Sequence, residues 1–240
     1  MQDFQDFRID GVGKIPGGSF GRLVIDGVGE CAGDLEVEAL RVDGTFKCGG
    51  AIAARRPECG GAGERKDKPD TGIIKVNGSF KCRGAATAKE FECDGSARVD
   101  GDLHTGRLLV DGLLTMANGA KLEADEVICD GSISMDGQIC ADAVWADGLI
   151  RAREIVGDRI IIKSRLNALA KFFTKGGSKV DLIEATYIEL CGVTAETVNG
   201  SQIVIGPKCQ IENLDCNGTL SIDPTSIVKN ITGEYTLRDL

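Results

Sequence analysis

Apolar and polar positions recur along this chain with a regular period. The mark is Asp-Gly or Asn-Gly, with first members Asp10, Asp26, Asp43, Asn77, Asp94, Asp111, Asp130, Asp147, Asn199 and Asn217. Successive gaps are 16, 17, 34, 17, 17, 19, 17, 52 and 18, the long ones near two and three times 17. Stacked on a period of about 17, the chain forms columns. One residue before the mark stand Ile9, Ile25, Val42, Val76, Cys93, Val110, Cys129, Ala146, Val198 and Cys216. Further apolar columns lie three before it (Phe7, Leu23, Leu40, Phe91), six before it (Phe4, Phe20, Val37, Ala88) and five after it (Ile15, Cys31, Cys48, Cys82, Val99). Polar residues such as Arg8, Arg41, Lys75 and Glu92 alternate with them, which is strand periodicity.

A unit that short cannot bury its own apolar side, but stacked units can. The pattern therefore predicts an all-β fold: a single-stranded parallel β-helix with short strands and tight corners, as one solenoid domain over residues 1–240. At about 4.8 Å per coil, roughly eleven coils would stack. Glycine is expected to supply the positive φ that corners need. The aspartates at the marks are expected to cap their own corners rather than hold a divalent-cation ladder.

The repeat fails twice. Residues 55–71 carry charge, glycine and proline without alternation and are expected to form a surface loop between directly stacked coils. In residues 163–178, Lys163 interrupts the apolar pattern, Ser164 can cap a helix and Gly176-Gly177 can end one. Leu166, Leu169, Ala170 and Phe173 share one face at helical spacing, with Phe172 beside them, which predicts a short amphipathic helical excursion. The outward position two before the mark, usually polar, becomes Leu109, Ile128 and Trp145, with Ile162 expected in register after them. Such a stripe marks a contact surface. The simplest expectation is that the helix covers it. The alternative is a partner protein or a membrane surface, since residues 151–179 hold eight Lys or Arg and two acids.

Composition narrows the functional classes. There are 33 glycines in 240 residues and 42% hydrophobic residues, too glycine-rich for a helical bundle and too apolar for a disordered tail. The net charge of −9 argues against nucleic acid as a partner. No Cys-x-x-Cys pair exists among the 10 cysteines, and the single histidine excludes a multi-histidine metal site, so neither metal nor cofactor is expected. Most cysteines fall in the inward columns, as reduced core residues of a cytoplasmic chain would. The acidic start lacks the profile of a secretion signal. His104 raises an acyltransferase-like solenoid as an enzymatic alternative, but the period of 17 and the Asp-Gly corners do not match a strict hexapeptide repeat. A non-enzyme is expected.

Repeats of the form L-x-V-D-G and F-x-C-D-G, as at residues 40–44, 91–95 and 108–112, resemble the bactofilins, polymer-forming cytoskeletal proteins of bacteria. The resemblance runs from Phe4 to Ile222 and implies a right-handed coil. It also implies end-to-end assembly without nucleotide and a scaffolding role that places partner proteins in cell shape, envelope or motility. This chain is about twice as long as the usual family core and lacks proline-rich tails. Independently, open solenoid ends expose unpaired strand edges, so Phe4 and Phe7 are candidate self-association residues. The binding-module alternative is a monomeric or dimeric adaptor using the 109–162 stripe or the 163–178 segment.

Overall fold

A computed structural model describes residues 4–55, 72–164 and 177–239. All regular structure among them is β, with no helix. Parallel strands stack in register, at the period the sequence displays, into a β-solenoid in two compact units, residues 1–120 and 121–240. The predicted helix and the residues Leu166, Leu169, Phe172 and Phe173 lie outside the described residues, as does nearly all of the 55–71 loop.

In the first unit each coil has a longer strand, a corner, a shorter strand and a second corner, as in Ala86–Cys93 and Ser96–Val99. Within the longer strand the alternation slips by one: Ala86 and Ala88 point in, Lys89 and Glu90 both point out, and Phe91 and Cys93 point in again. That phase shift bends the strand, so each coil presents three short faces with two inward residues apiece. Six core columns result. The two the sequence pattern does not display are Leu35–Ile52–Ala86–Leu103 and Gly29–Phe46–Phe80–Ala97–Leu114. The second is filled by unequal neighbours. A Cβ on Gly29 would meet the Phe46 ring at 2.9 Å, so the missing side chain makes room for an aromatic one rung on. Phe46 and Phe80 then pack with centroids 6.3 Å apart, and Phe80 meets Phe91 edge-on at 6.1 Å.

The mark glycines serve a different purpose from the one expected. Among described residues, left-handed φ occurs at Gly17, Gly18, Gly72, Gly119, Gly192, Gly233 and Lys208, not at the Asp-Gly corners. At those corners the constraint is proximity to the preceding rung. A Cβ on Gly44 would lie 2.5 Å from the carbonyl oxygen of Asp26 and closer still to that of Gly27. Gly27, Gly78, Gly95, Gly112 and Gly148 meet the preceding corner in the same way. Only glycine lets two corners stack at the sheet spacing.

In the second unit the strands run around the corners and are longer, as in Leu149–Lys163 and Ser178–Cys191. Here the coil length varies. One column reads Ala146, Ile162, Leu190, Ile205 and Ile222, so its members do not follow one another at even intervals. The long gap between Asp147 and Asn199 is therefore not three even coils. Val198 stacks on Leu214 and Asn199 on Asp215, so Asn199-Gly200 belongs to a different corner from Asp147-Gly148. Cys216, opposite Gly200 at a register shift, likewise leaves the column of Cys93 and Cys129.

Both irregular segments leave and re-enter the stack at neighbouring positions. Around the first, the Arg55 amide bonds the Val37 carbonyl at 3.0 Å and the Gly72 amide bonds that of Glu38 at 2.6 Å. Around the second, Ser164 and the fully buried Ser178 share a 2.7 Å hydroxyl hydrogen bond, and Ser178 accepts from the Ile150 amide at 3.0 Å. Residues are thus inserted without breaking the stack, and the entropy of closing such an insertion grows only slowly with its length.

Candidate functional site

The outward stripe is built on the same register as the core. In the second unit Ile128 pairs with Trp145, and Trp145 pairs with Ile161. Ile162 is not part of it. The coil from Ala146 to Ile162 falls one position short of the period, so Ile162 turns inward beneath Leu190 and is fully buried, and Ile161 takes the outward place. Ile128, Trp145 and Ile161 are all half-buried. Leu109 lies in the first unit, half-buried, opposite Glu92 in the preceding rung.

The stripe has aromatic and cationic company. Arg159 and Tyr187 are register partners two positions before Ile161 and Glu189, and the guanidinium lies 4.4 Å from the ring centroid. Lys163 pairs with Glu189 at 2.9 Å. Burial and the carboxylate of Glu189 push the Tyr187 hydroxyl pKa up, so it stays protonated at neutral pH. Trp, Tyr and Arg on one face are the residue types that dominate binding hot spots. Arg159 and Tyr187 escaped the sequence reading because the uneven coil lengths hide their register.

The equivalent face of the first unit is charged. A cleft of about 560 Å³ is lined by Arg8, Arg22, Arg41 and Lys75 with Asp26, Asp43 and Glu92. The corner carboxylates do not cap their own turns here. Arg8 Nε meets Asp10 at 2.5 Å, Arg41 Nε meets Asp43 at 2.7 Å, and Asn77 donates to Asp43 from the next rung at 2.5 Å. The hydrogen bonds from Arg41 and Arg8 hold the Asp43 and Asp10 carboxyls below the usual range. Lys75 bonds Glu92 one rung on. The carboxylates of Asp10, Asp26, Asp43 and Glu92 thus each have an Arg or Lys beside them, which offsets the repulsion a bare aspartate ladder would suffer. Among the described residues no group of three or more His, Cys, Asp or Glu side chains could hold a metal ion. His104 stands half-buried on the outward side of its strand, opposite Thr87.

The cysteines divide by column. Cys31, Cys48 and Cys82 stack rung on rung, all buried. Burial pushes the Cys31 and Cys93 thiols up to about 11, which leaves them unreactive at neutral pH. Cys140 and Cys191 point outward and are only half-buried, so the core-filler expectation does not extend to them.

At the outermost described rungs, core columns come into the open. Phe7 pairs with the buried Leu23 and packs on Phe20 with centroids 5.9 Å apart, yet is 42% exposed. Phe4 is half-buried and outside any strand. At the other extreme Leu237 continues the column of the fully buried Leu220 and is 68% exposed, and Ile231, above Leu214, is also exposed.

These features define a parallel β-solenoid protein whose outward columns carry the candidate chemistry. Against known proteins, the chain matches no family profile and no solved structure. Over 52 residues it is 42% identical to an uncharacterized protein, YhbE, of Bacillus subtilis (strain 168). That stretch is 22% of this chain and 22% of that protein's length. Among the described residues no helix is long and apolar enough to cross a membrane.

Proposed function

We propose that the chain is a non-enzymatic cytoplasmic scaffold that self-associates end to end, in the manner of the bactofilins it resembles, and positions partner proteins. The observation that carries this is the continuation of buried columns into exposed rungs. The strands Ile227–Thr232 and Thr236–Leu237 are hydrogen-bonded on one side only among the described residues, with Ile231 and Leu237 uncovered. A further rung of the same kind would bury those side chains and satisfy the open strand edge. Buried cysteines without a disulfide among the described residues suit a reducing compartment. Electron microscopy and sedimentation velocity across protein concentration test it. Filaments or concentration-dependent rods are expected, and they should disappear in Ile231→Asp/Leu237→Asp, whose sites are exposed and tolerate charge. Single copies at every concentration would overturn the proposal.

A second reading, a monomeric or dimeric adaptor, is favoured by the Ile128–Trp145–Ile161 stripe beside Arg159 and Tyr187. It predicts short particles in the microscope and loss of a protein partner in Trp145→Ala.

A further inference from the structure

The face that follows each Asp-Gly corner in residues 4–120 has an unusual outer side. Its strands are Val12–Ile15, Val28–Cys31, Thr45–Cys48, Ser79–Cys82, Ser96–Val99 and Leu113–Met116. Each sends two residues outward. The second of these forms the column Lys14, Glu30, Lys47, Lys81, Arg98, Thr115 in continuous register. Lys47, Lys81 and Arg98 occupy three successive rungs about 4.8 Å apart, although like charges placed opposite one another destabilise a sheet. Arg83 adds an exposed fifth cation beside them. Glu30, 2.8 Å from Lys14, and Asp100, 2.6 Å from Arg98 and 3.7 Å from Lys81, pair with them, and the exposed Asp34 and Asp102 stand at the corner that carries Arg83. The outward positions of these strands thus hold four cations and one acid in a chain of net charge −9.

The first outward column of the same face is a separate observation. It holds Val12, Val28 and Leu113, which are 86%, 49% and 43% exposed, with Thr45, Ser79 and Ser96 between. Of the large apolar side chains exposed in the described residues of this unit, only Phe7 lies elsewhere. Exposed apolar side chains set among Lys and Arg on a shallow sheet face match a surface that is anionic outside and apolar beneath. The negative charge of other faces is screened beyond about 8 Å at physiological salt and opposes such contact weakly. The second unit repeats the preference: Arg151 and Lys179 are exposed register partners in the corresponding column.

We propose that this face docks on a bilayer rich in anionic lipid. Lys14, Lys47, Lys81, Arg83 and Arg98 meet the headgroup phosphates, while Val12, Val28 and Leu113 enter the interface. The contact needs no end-to-end assembly and stands apart from it.

Co-flotation with vesicles tests this without interference from any sedimenting polymer. The wild-type chain should float with phosphatidylcholine vesicles containing phosphatidylglycerol, stay behind with phosphatidylcholine alone, and be released by high salt. Removing one cation near the surface weakens binding about fivefold, so Lys47→Glu/Lys81→Glu/Arg98→Glu should weaken it by more than ~100-fold. Lys89→Glu, at a corner away from this face, should float like wild type. If the triple reversal does not fold by circular dichroism, Lys47→Gln/Lys81→Gln replaces it, with a loss of about 25-fold expected. Leu113→Trp in a Trp145→Phe background should blue-shift its emission on anionic vesicles only. Failure of the wild type to float, wild-type flotation of a folded charge variant, or unshifted emission from the vesicle-bound Leu113→Trp chain would each overturn the proposal. So would capture of an acidic protein by a chain that ignores vesicles.

Discussion

Replacing Gly44 by alanine places one methyl group where the preceding rung already stands. Its Cβ would lie 2.5 Å from the carbonyl oxygen of Asp26 and 2.8 Å from that carbonyl carbon. Ordinary carbon contacts sit at about 3.5 Å or more, and the Gly27 carbonyl oxygen lies closer still than that of Asp26, so the corner must open by more than about 1 Å. Three backbone hydrogen bonds close that corner: Asp43 to Ile25 at 2.9 Å, Gly44 to Ile25 at 3.0 Å and Thr45 to Gly27 at 2.8 Å. Opening it stretches all three beyond good geometry, at about 1 kcal/mol net each, and overpacking adds about 1–3 kcal/mol. A loss of about 4–6 kcal/mol is expected, a large part of the stability of an ordinary domain. Gly11 is the internal control: a Cβ there meets nothing within 4 Å, and its φ is not left-handed. Gly11→Ala should be neutral or stabilise by about 0.4–1 kcal/mol, by restricting the unfolded chain. Urea denaturation followed by circular dichroism separates the two. A wild-type midpoint for Gly44→Ala, or an equal loss for Gly11→Ala, would refute the argument that close stacking, and not turn conformation, demands glycine at the marks.

Neighbouring isoleucines test the register of the second unit: Ile162→Ala should cost about 2–5 kcal/mol and Ile161→Ala less than about 1 kcal/mol, read from the same urea midpoints. Ser178→Ala removes the acceptor of the Ile150 amide at a buried site, so stability should fall by about 1–3 kcal/mol and that amide should exchange its hydrogen faster by NMR. Alkali should weaken the fold. Unfolded thiols lose their protons near 9.0 and the folded Cys31 and Cys93 at about 11, so the folded chain holds more protons between those values. The thiol contribution is complete below about pH 9 and declines as the pH rises towards 11. Urea midpoints at pH 8 and pH 10 should show the fall, and Cys93→Val should lessen it.

The stacking itself was legible because the corners demand a rare dipeptide and the mark survives in most coils of the first unit. Four core columns were visible in the sequence because their residues are uniformly apolar. The column through Gly29, Phe46, Phe80 and Ala97 was not, because its members compensate for one another's size and no single residue type recurs. The second unit was harder for a different reason. The coils that follow Ala146 take 16, 28 and 15 residues, about eight more in all than three even coils, and the gap from Asp147 to Asn199 looks even only because Asn199 stands at a different corner. Ile161 and Ile162 were exchanged by that error, and Arg159 and Tyr187 were missed with them. Within Leu149–Lys163 the buried residues Ile155, Ile160 and Ile162 do show the correct phase, but only once the coil is known to be short.

Each rung of such a stack commits its inward residues to the core and leaves its outward residues free to vary. The position two before the mark shows the consequence. In the first unit it carries Arg8, Arg41, Lys75 and Glu92, tied to one another's neighbours by ion pairs, together with Val24 and Leu109, and in the second Ile128, Trp145 and Ile161. Exposed ion pairs contribute little to stability, and half-exposed apolar side chains contribute less than buried ones, so neither arrangement is needed to hold the coils together. The core columns beneath them are alike in both units. The difference between the outward columns therefore answers to what each surface meets, and a set of substitutions confined to one outward column should change binding while leaving stability within about 0.5 kcal/mol per site of wild type. Binding and stability that fell together across such a set would show that the outward columns are structural after all.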